Sequence, residues 1–212
     1  MATVLTASEQ KVILRNISWE TYERLLDERA DDPVPRFNFD RGDLEIMSPS
    51  SEHEEFKCVF AQIVDVVVEE LDINSRKLGS TTFKRDDIER GFEPDACFYI
   101  QSYARMRGRR RIDLLVDPPP DLIIEIDITT DSMKKQGLYA AFGVPEVWRY
   151  DGNRLTILQL SGGHYVERDT SLALPLLTAV GLTNLLEESK SLEPMPWLRK
   201  LRKWVREQAA HG

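Results

Sequence analysis

The sequence predicts a single α/β (α+β) domain: a mixed β-sheet flanked by helices, with a helix and hairpin at the N-terminal side and a helical tail at the C-terminal side. Three observations carry this. The chain has 212 residues, enough for one domain with a substantial core and short for two. Its apolar stretches are either strand-sized or spaced at helical period, and no run approaches a membrane span. Their order is helix, hairpin, helix, strands, helix, strands, which suits layered helices and sheet. Residues 1–212 therefore read as one domain, with a core over about 40–170 and a helical extension over about 176–210.

Each element has a local reason. Ser18 is placed to cap a helix over WETYERLLDERA, whose apolar stripe is Tyr22, Leu25 and Leu26, and Pro33 and Pro35 stop it. RFNFDRGDLEIMSP reads as a hairpin, with Phe37 and Phe39 on one arm, Leu44 and Ile46 on the other, and the turn at Asp40-Arg41-Gly42. Ser50 or Ser51 opens a helix to about Leu71, in which Phe56, Val59, Phe60, Ile63, Val66 and Val67 recur at helical spacing. One strand is expected over about Arg76 to Lys84, another at EPDACFYI, then a long loop through the arginines and DPPP. DLIIEIDITT is a buried strand, SMKKQGLYAAF a helix with Leu138, Ala141 and Phe142 inward, and Gly143 its C-cap. PEVWRYDGNRLTILQLSGGHYVER reads as short strands joined by glycine turns, and LTNLLEES and PWLRKLRKWVREQA as helices.

The formal net charge of −8 and the pI of about 5.1 exclude a dedicated nucleic-acid coating protein. They do not exclude an enzyme that meets phosphate through a local patch. Two basic patches exist: Arg105, Arg107, Arg109, Arg110 and Arg111 in one loop, and the basic C-terminal helix. The loop is either a solvated segment or a set of phosphate contacts; the helix, with Leu198, Leu201, Trp204 and Val205 interleaved, is expected to pack on the domain or on a second subunit. Cys58 and Cys97 fall in expected core elements and read as buried thiols of a reducing compartment. With no basic-then-apolar leader in the first residues, the expected location is the cytoplasm, with no membrane partner and no small-molecule cofactor.

The chemistry is concentrated in acids set among apolar residues. Glu125 and Asp127 lie two apart in a core strand and so share a face. Two like charges in a core need compensation. A divalent cation supplies it, since Mg²⁺ takes carboxylate oxygens together with water and substrate phosphate. Alternatively a buried arginine pairs with them, and Arg149 is the candidate. Asp95, after Pro94 at a strand start, adds a third acid unless it only caps a turn. Glu45 sits inside an apolar arm, His53 in the first turn of the next helix, and Lys134 and Lys135 at a helix start. Acids on neighbouring strands with nearby lysines are the equipment of metal-assisted phosphodiester hydrolysis.

Pro94-Asp95 followed by Glu125-Ile126-Asp127 resembles the PD-(D/E)XK nuclease superfamily. Within it, LEIMSPSSEH, EPDACFYI, PPPDLIIEIDITT and KQGLYAAFGVPEVWRYD resemble a restriction endonuclease family once catalogued only as a domain of unknown function, common in cyanobacteria. The likeness covers about Asp40 to Tyr165. It implies a restriction-endonuclease-like fold, Mg²⁺ or Mn²⁺ at Asp95 and Glu125, and DNA as substrate. Asp127 stands where the simplest motif has a lysine. The resemblance moves that lysine to Lys135, four residues before Tyr139, with Lys134 second, and puts Glu45 and His53 at the rim.

Two readings follow: a Mg²⁺- or Mn²⁺-dependent DNA endonuclease, for which a homodimer would suit cutting both strands, or a weak or inactive nuclease-fold protein that binds nucleic acid or a protein. A two-carboxylate glycosidase is disfavoured, because sugar sites use aromatic platforms and only 8% of the chain is aromatic.

Overall fold

The structure, a computed structural model, describes residues 9–29, 32, 34–128 and 135–210. In chain order the elements are β1 (Gln10–Leu14), α1 (Trp19–Arg29), β2 (Arg36–Asp40), β3 (Asp43–Ser48), α2 (Ser51–Glu70), β4 (Arg76–Leu78), β5 (Phe83–Arg85), β6 (Arg90–Phe92), β7 (Ala96–Tyr99), α3 (Tyr103–Met106), β8 (Leu122–Ile126), α4 (Lys135–Ala141), β9 (Glu146–Tyr150), β10 (Leu155–Ser161), β11 (His164–Arg168), α5 (Ala179–Ser191) and α6 (Pro194–Ala209).

The expected mixed sheet is present, in the order β11-β10-β9-β8-β7-β4, with β8 and β9 parallel and the other pairs antiparallel. A second sheet, fully antiparallel, runs β1-β3-β2-β6-β5. The expected hairpin, β2–β3, belongs to this second sheet. Its turn puts Arg41 and Gly42 both at positive φ, 47° and 103°, the requirement of a two-residue turn that matches strand twist. The single strand expected over Arg76 to Lys84 is two strands in different sheets. Gly79 and Ser80 interrupt it, and the chain passes from one sheet to the other there. β1 was not anticipated.

The local signals act as expected. Ser18 Oγ accepts the Thr21 N–H at 3.2 Å, and Ser50 Oγ accepts the His53 N–H at 3.1 Å, so Ser50 is the cap of α2. The main core lies between one face of the mixed sheet and α2, α5 and α6, with Phe60, Ile63, Val67, Ile124, Trp148 and Leu201 at its centre. On the other face Leu138 of α4 and Phe142, just after it, pack against Ile123 and Val147 of the sheet and Phe92 of β6. The C-terminal helix α6 docks on the domain through Trp197, Leu201 and Val205, and Arg202 and Arg206 pair with Glu70. Cys97 is buried, but Cys58 is exposed: it falls on the solvent side of α2, between the inward Phe56 and Phe60. Among the described residues no helix is long and apolar enough to cross a membrane.

The second sheet has two unlike faces, and this positions the site. Phe37, Phe39, Leu44 and Ile46 point to α1 and form a small core with Trp19 and Tyr22. The alternate positions, Arg36, Asn38 and Glu45, must then point the opposite way. All three are buried polar residues at 2%, 0% and 0% exposure. They face the mixed sheet, where Asp95 and Glu125 are.

The α1 core is tight at one point. A Cβ on Gly91 would lie 2.1 Å from the Tyr22 hydroxyl and 2.8 Å from its ring carbon, and Tyr22 is held against Phe39 at 4.9 Å. Gly91→Ala is expected to cost about 1–3 kcal/mol in urea unfolding, whereas Gly79→Ala, with nothing within 4 Å, should stay within about 0.5 kcal/mol. Equal stabilities would show that Tyr22 relaxes freely.

Candidate active site

β7 and β8 pair antiparallel with Ala96 opposite Ile124; one step further, the register sets Asp95 opposite Glu125. Asp95 is buried one residue before β7, and its Oδ2 accepts the Ile126 N–H at 2.6 Å. Its Oδ1 meets the Arg36 guanidinium and His53 Nε2, the latter at 2.7 Å. Arg36 also donates to Glu54 at 2.6 Å.

Glu125 points to the opposite face from Ile124 and Ile126, toward α4. There Lys135 Nζ donates to its Oε2 at 2.9 Å and the Tyr139 hydroxyl to its Oε1 at 2.6 Å. The four-residue spacing on α4 puts Lys135 and Tyr139 one turn apart on one face, which lets a single carboxylate receive both. Lys135 lies 3.6 Å from Glu45 Oε1 as well, so one ammonium bridges an acid from each sheet. Glu45 also accepts from Asn38 Nδ2 at 3.0 Å.

Asp127 follows β8 directly; its N–H donates to Tyr150 O at 2.7 Å. Glu125 is paired in register with Arg149 on β9, and Arg149 Nε and Nη2 reach Asp127 Oδ2 at 3.1 and 2.6 Å. The arginine-partner alternative thus holds for Asp127 and not for Glu125. Asp127 Oδ1 is buried and accepts no hydrogen bond; Lys11 Nζ stands 3.5 Å away. Lys11 is paired with Glu9 at 2.7 Å, and Glu9 with His53 Nδ1 at 2.7 Å.

Glu125, Asp127, Lys135, Tyr139, Lys11 and Arg149 line one cavity of about 390 Å³. Asp95 and His53 are not among its lining residues; Asp95 meets β8 through the Ile126 N–H, and Glu45 meets the lining through Lys135. Lys134 lies outside the described residues. The arginine segment is not brought to the acids. It follows the far end of β7, beyond Tyr99, while Asp95 precedes the near end, and Arg105, Arg107, Arg109, Arg110 and Arg111 are exposed there. Arg105 donates to Val116 O, and Arg109 pairs with Asp117 at 3.3 Å. Sequence reasoning missed Glu9, Lys11, Arg36 and Asn38. For Arg36 and Asn38 a signal existed: they alternate with Phe37 and Phe39, so one face of β2 is polar.

Burial pulls the Lys135 ammonium down, but the carboxylates of Glu125 and Glu45 and the hydrogen bond to Glu125 outweigh it, so Lys135 titrates above its ordinary 10.5. Burial and the neighbouring Glu125 hold the Tyr139 phenol well above 10.0. Both groups keep their protons at neutral pH and act as donors.

The architecture, a mixed sheet flanked by helices with Lys135 and Tyr139 of α4 turned to Glu125, is restriction-endonuclease-like. The chain belongs to the Uma2 family, described as putative restriction endonuclease, which matches residues 19–189. The fold is shared with a solved structure of a putative nuclease belonging to DUF820 from Anabaena variabilis ATCC 29413. The two match at a TM-score of 0.53 and 14% identity, over 86% of this chain and 99% of that one. No curated protein matches the chain.

Lys135→Met leaves Glu125 and Glu45 without their shared cation, and a loss of about 3 kcal/mol is expected near pH 7. Lys135 binds its proton more tightly folded than unfolded, so its contribution is complete below pH 10.5 and is lost as the pH rises through its folded value. The stability gap between wild type and Lys135→Met should therefore narrow only in strong alkali. Urea unfolding across pH reads this directly; a gap that closes near pH 8 would contradict it.

Proposed function

We propose that the protein is a metal-dependent DNA endonuclease that hydrolyses phosphodiester bonds at this cavity. The observation that carries the reading is the buried Glu125 carboxylate, held by Lys135 and Tyr139 and set opposite Asp95 on the neighbouring strand.

The donor set fits a hard divalent cation. Asp95, Glu125 and Asp127 offer only carboxylate oxygens, and one of these, Asp127 Oδ1, is buried without a hydrogen bond. Among the described residues no group of three or more His, Cys, Asp or Glu is arranged as a metal cage. Mg²⁺ and Mn²⁺ do not need one, since one or two carboxylates with water and substrate phosphate suffice. In this reading Asp95, from outside the lining, and Glu125 would hold the ion on oxygens now taken by Arg36, His53, Lys135 and Tyr139, and Asp127 would assist. When bound, Mg²⁺ or Mn²⁺ would neutralise phosphate charge and make a bound water more acidic.

The chain's own groups supply the rest. Lys135 stays an ammonium, so it donates to the attacking water or to a phosphate oxygen and does not serve as the base. Tyr139 holds Glu125 in one orientation. Val147 and Leu158 give the cavity an apolar wall that limits water, which strengthens the electrostatics inside.

A second reading, binding without cleavage, draws on the basic partners already present: Asp95 meets Arg36 and His53, and Asp127 meets Arg149. Calorimetric titration with Mg²⁺ and Mn²⁺ separates the two, because a pure binding module has no need of the ion.

In a plasmid-nicking assay with Mn²⁺ or Mg²⁺, Glu125→Ala and Asp95→Ala should each lower the rate at least about a hundredfold, and a chelator should abolish cutting. Mutants that nick as fast as wild type would remove these residues from the chemistry.

A further inference from the structure

The cavity has one wall that the family match does not reach. β1 lies before residue 19, where the match begins, yet it brings Lys11 to the site. The register explains how. Lys11 pairs with Met47 and Ile13 with Glu45, so Lys11 shares the sheet face of Glu45, which looks toward the mixed sheet.

β1 is inverted in its burial. Its lysine side chain is only 8% exposed, while Val12, Ile13 and Leu14 are 54%, 40% and 39% exposed. An edge strand held by packing would bury the apolar residues and release the lysine. Here the ionic contacts of Lys11 are what is kept inside. They are also incomplete. An ammonium carries three donors. Among the described residues Glu9 Oε1 pairs with it at 2.7 Å, and Asp127 Oδ1, which accepts no hydrogen bond, stands 3.5 Å away.

The charge around the cavity says what would complete them. Among its described lining residues Lys11, Lys135 and Arg149 are cationic, and Glu125 and Asp127 are anionic. Glu9 pairs with Lys11 and Glu45 approaches Lys135, so it is the grouping of three cations on the cavity wall, and not a net excess of charge, that suits an anionic phosphate oxygen. Lysine is suited to such a group as a point charge on a flexible stem.

We propose that Lys11 is a substrate-contacting residue, its ammonium binding a non-bridging phosphate oxygen of the DNA, and that β1 is thereby part of the active site. This rests on the nuclease reading of the same cavity. It concerns binding, so its test does not depend on turnover.

The affinity of a short labelled DNA duplex is measured by fluorescence anisotropy over a range of salt, with Ca²⁺ in place of Mg²⁺. Wild type, Lys11→Ala and Lys11→Arg are compared. Loss of one phosphate contact should weaken binding by about tenfold at low salt and reduce the slope of log affinity against log salt by about one. Lys11→Arg should restore both. A lysine that merely anchors β1 would alter stability and leave the slope alone. If wild type binds with a salt-dependent affinity that Lys11→Ala does not change, the proposal falls by itself. If wild type neither binds nor nicks DNA, the nuclease reading falls and the proposal with it.

Discussion

A carboxylate taken out of water must be given a cation or a set of donors, and in this protein that requirement joins the two sheets. Asp127, Lys11, Glu9, His53, Asp95, Arg36 and Glu54 form a line in which acid and base alternate, each in contact with the next. The members come from β1 and the residue before it, β2, α2, and the residues flanking β7 and β8. Neither sheet could bury its half alone. Without the mixed sheet and α2, Arg36 would lose Asp95 and Glu54, and without the hairpin sheet Asp95 would lose Arg36 and Lys135 would lose Glu45. Lys135, between Glu45 and Glu125, makes a second such join.

This mode of assembly bears on how stability and chemistry share the same groups. Buried ion pairs are weak sources of net stability, yet they are costly to break. A site built of them is rigid while intact and strongly polarised within. Electrostatic stabilisation of a transition state needs that preorganisation. It also means that a residue such as Arg36, which does not line this cavity, holds Asp95 in place.

The sequence revealed the parts of the fold that depend on local chemistry. Ser50 announces α2, Arg41-Gly42 the hairpin turn, and the isoleucines around Glu125 a strand buried on both faces. Lys135 and Tyr139, four apart, announce a shared helix face. What stayed hidden depends on distant partners. Whether Arg76 to Lys84 is one strand or two is decided by which sheets its ends join, β7 on one side and β6 on the other. Glu9 and Lys11 carry no periodic signal, since their reason for being buried lies in His53 and Asp127. The arginine loop has a related cause: composition shows positive charge, but only topology shows that it follows the far end of β7. Cys58 differs, because its place on the solvent side of α2 could have been read from the helical spacing.

The docking of α6 has a consequence for when the protein can first exist. Trp197, Leu201 and Val205 belong to the same core as Phe60 and Ile124, and each contributes about 1.5–3 kcal/mol by leaving water. That core is the seat of α2, and α2 carries His53 against Asp95. During synthesis the earlier strands can pair and α2 can form, but the face of α2 that Val205 will cover remains open to water and to other chains until the ribosome has passed that point. A nascent chain in that interval exposes apolar surface that the finished protein keeps from water.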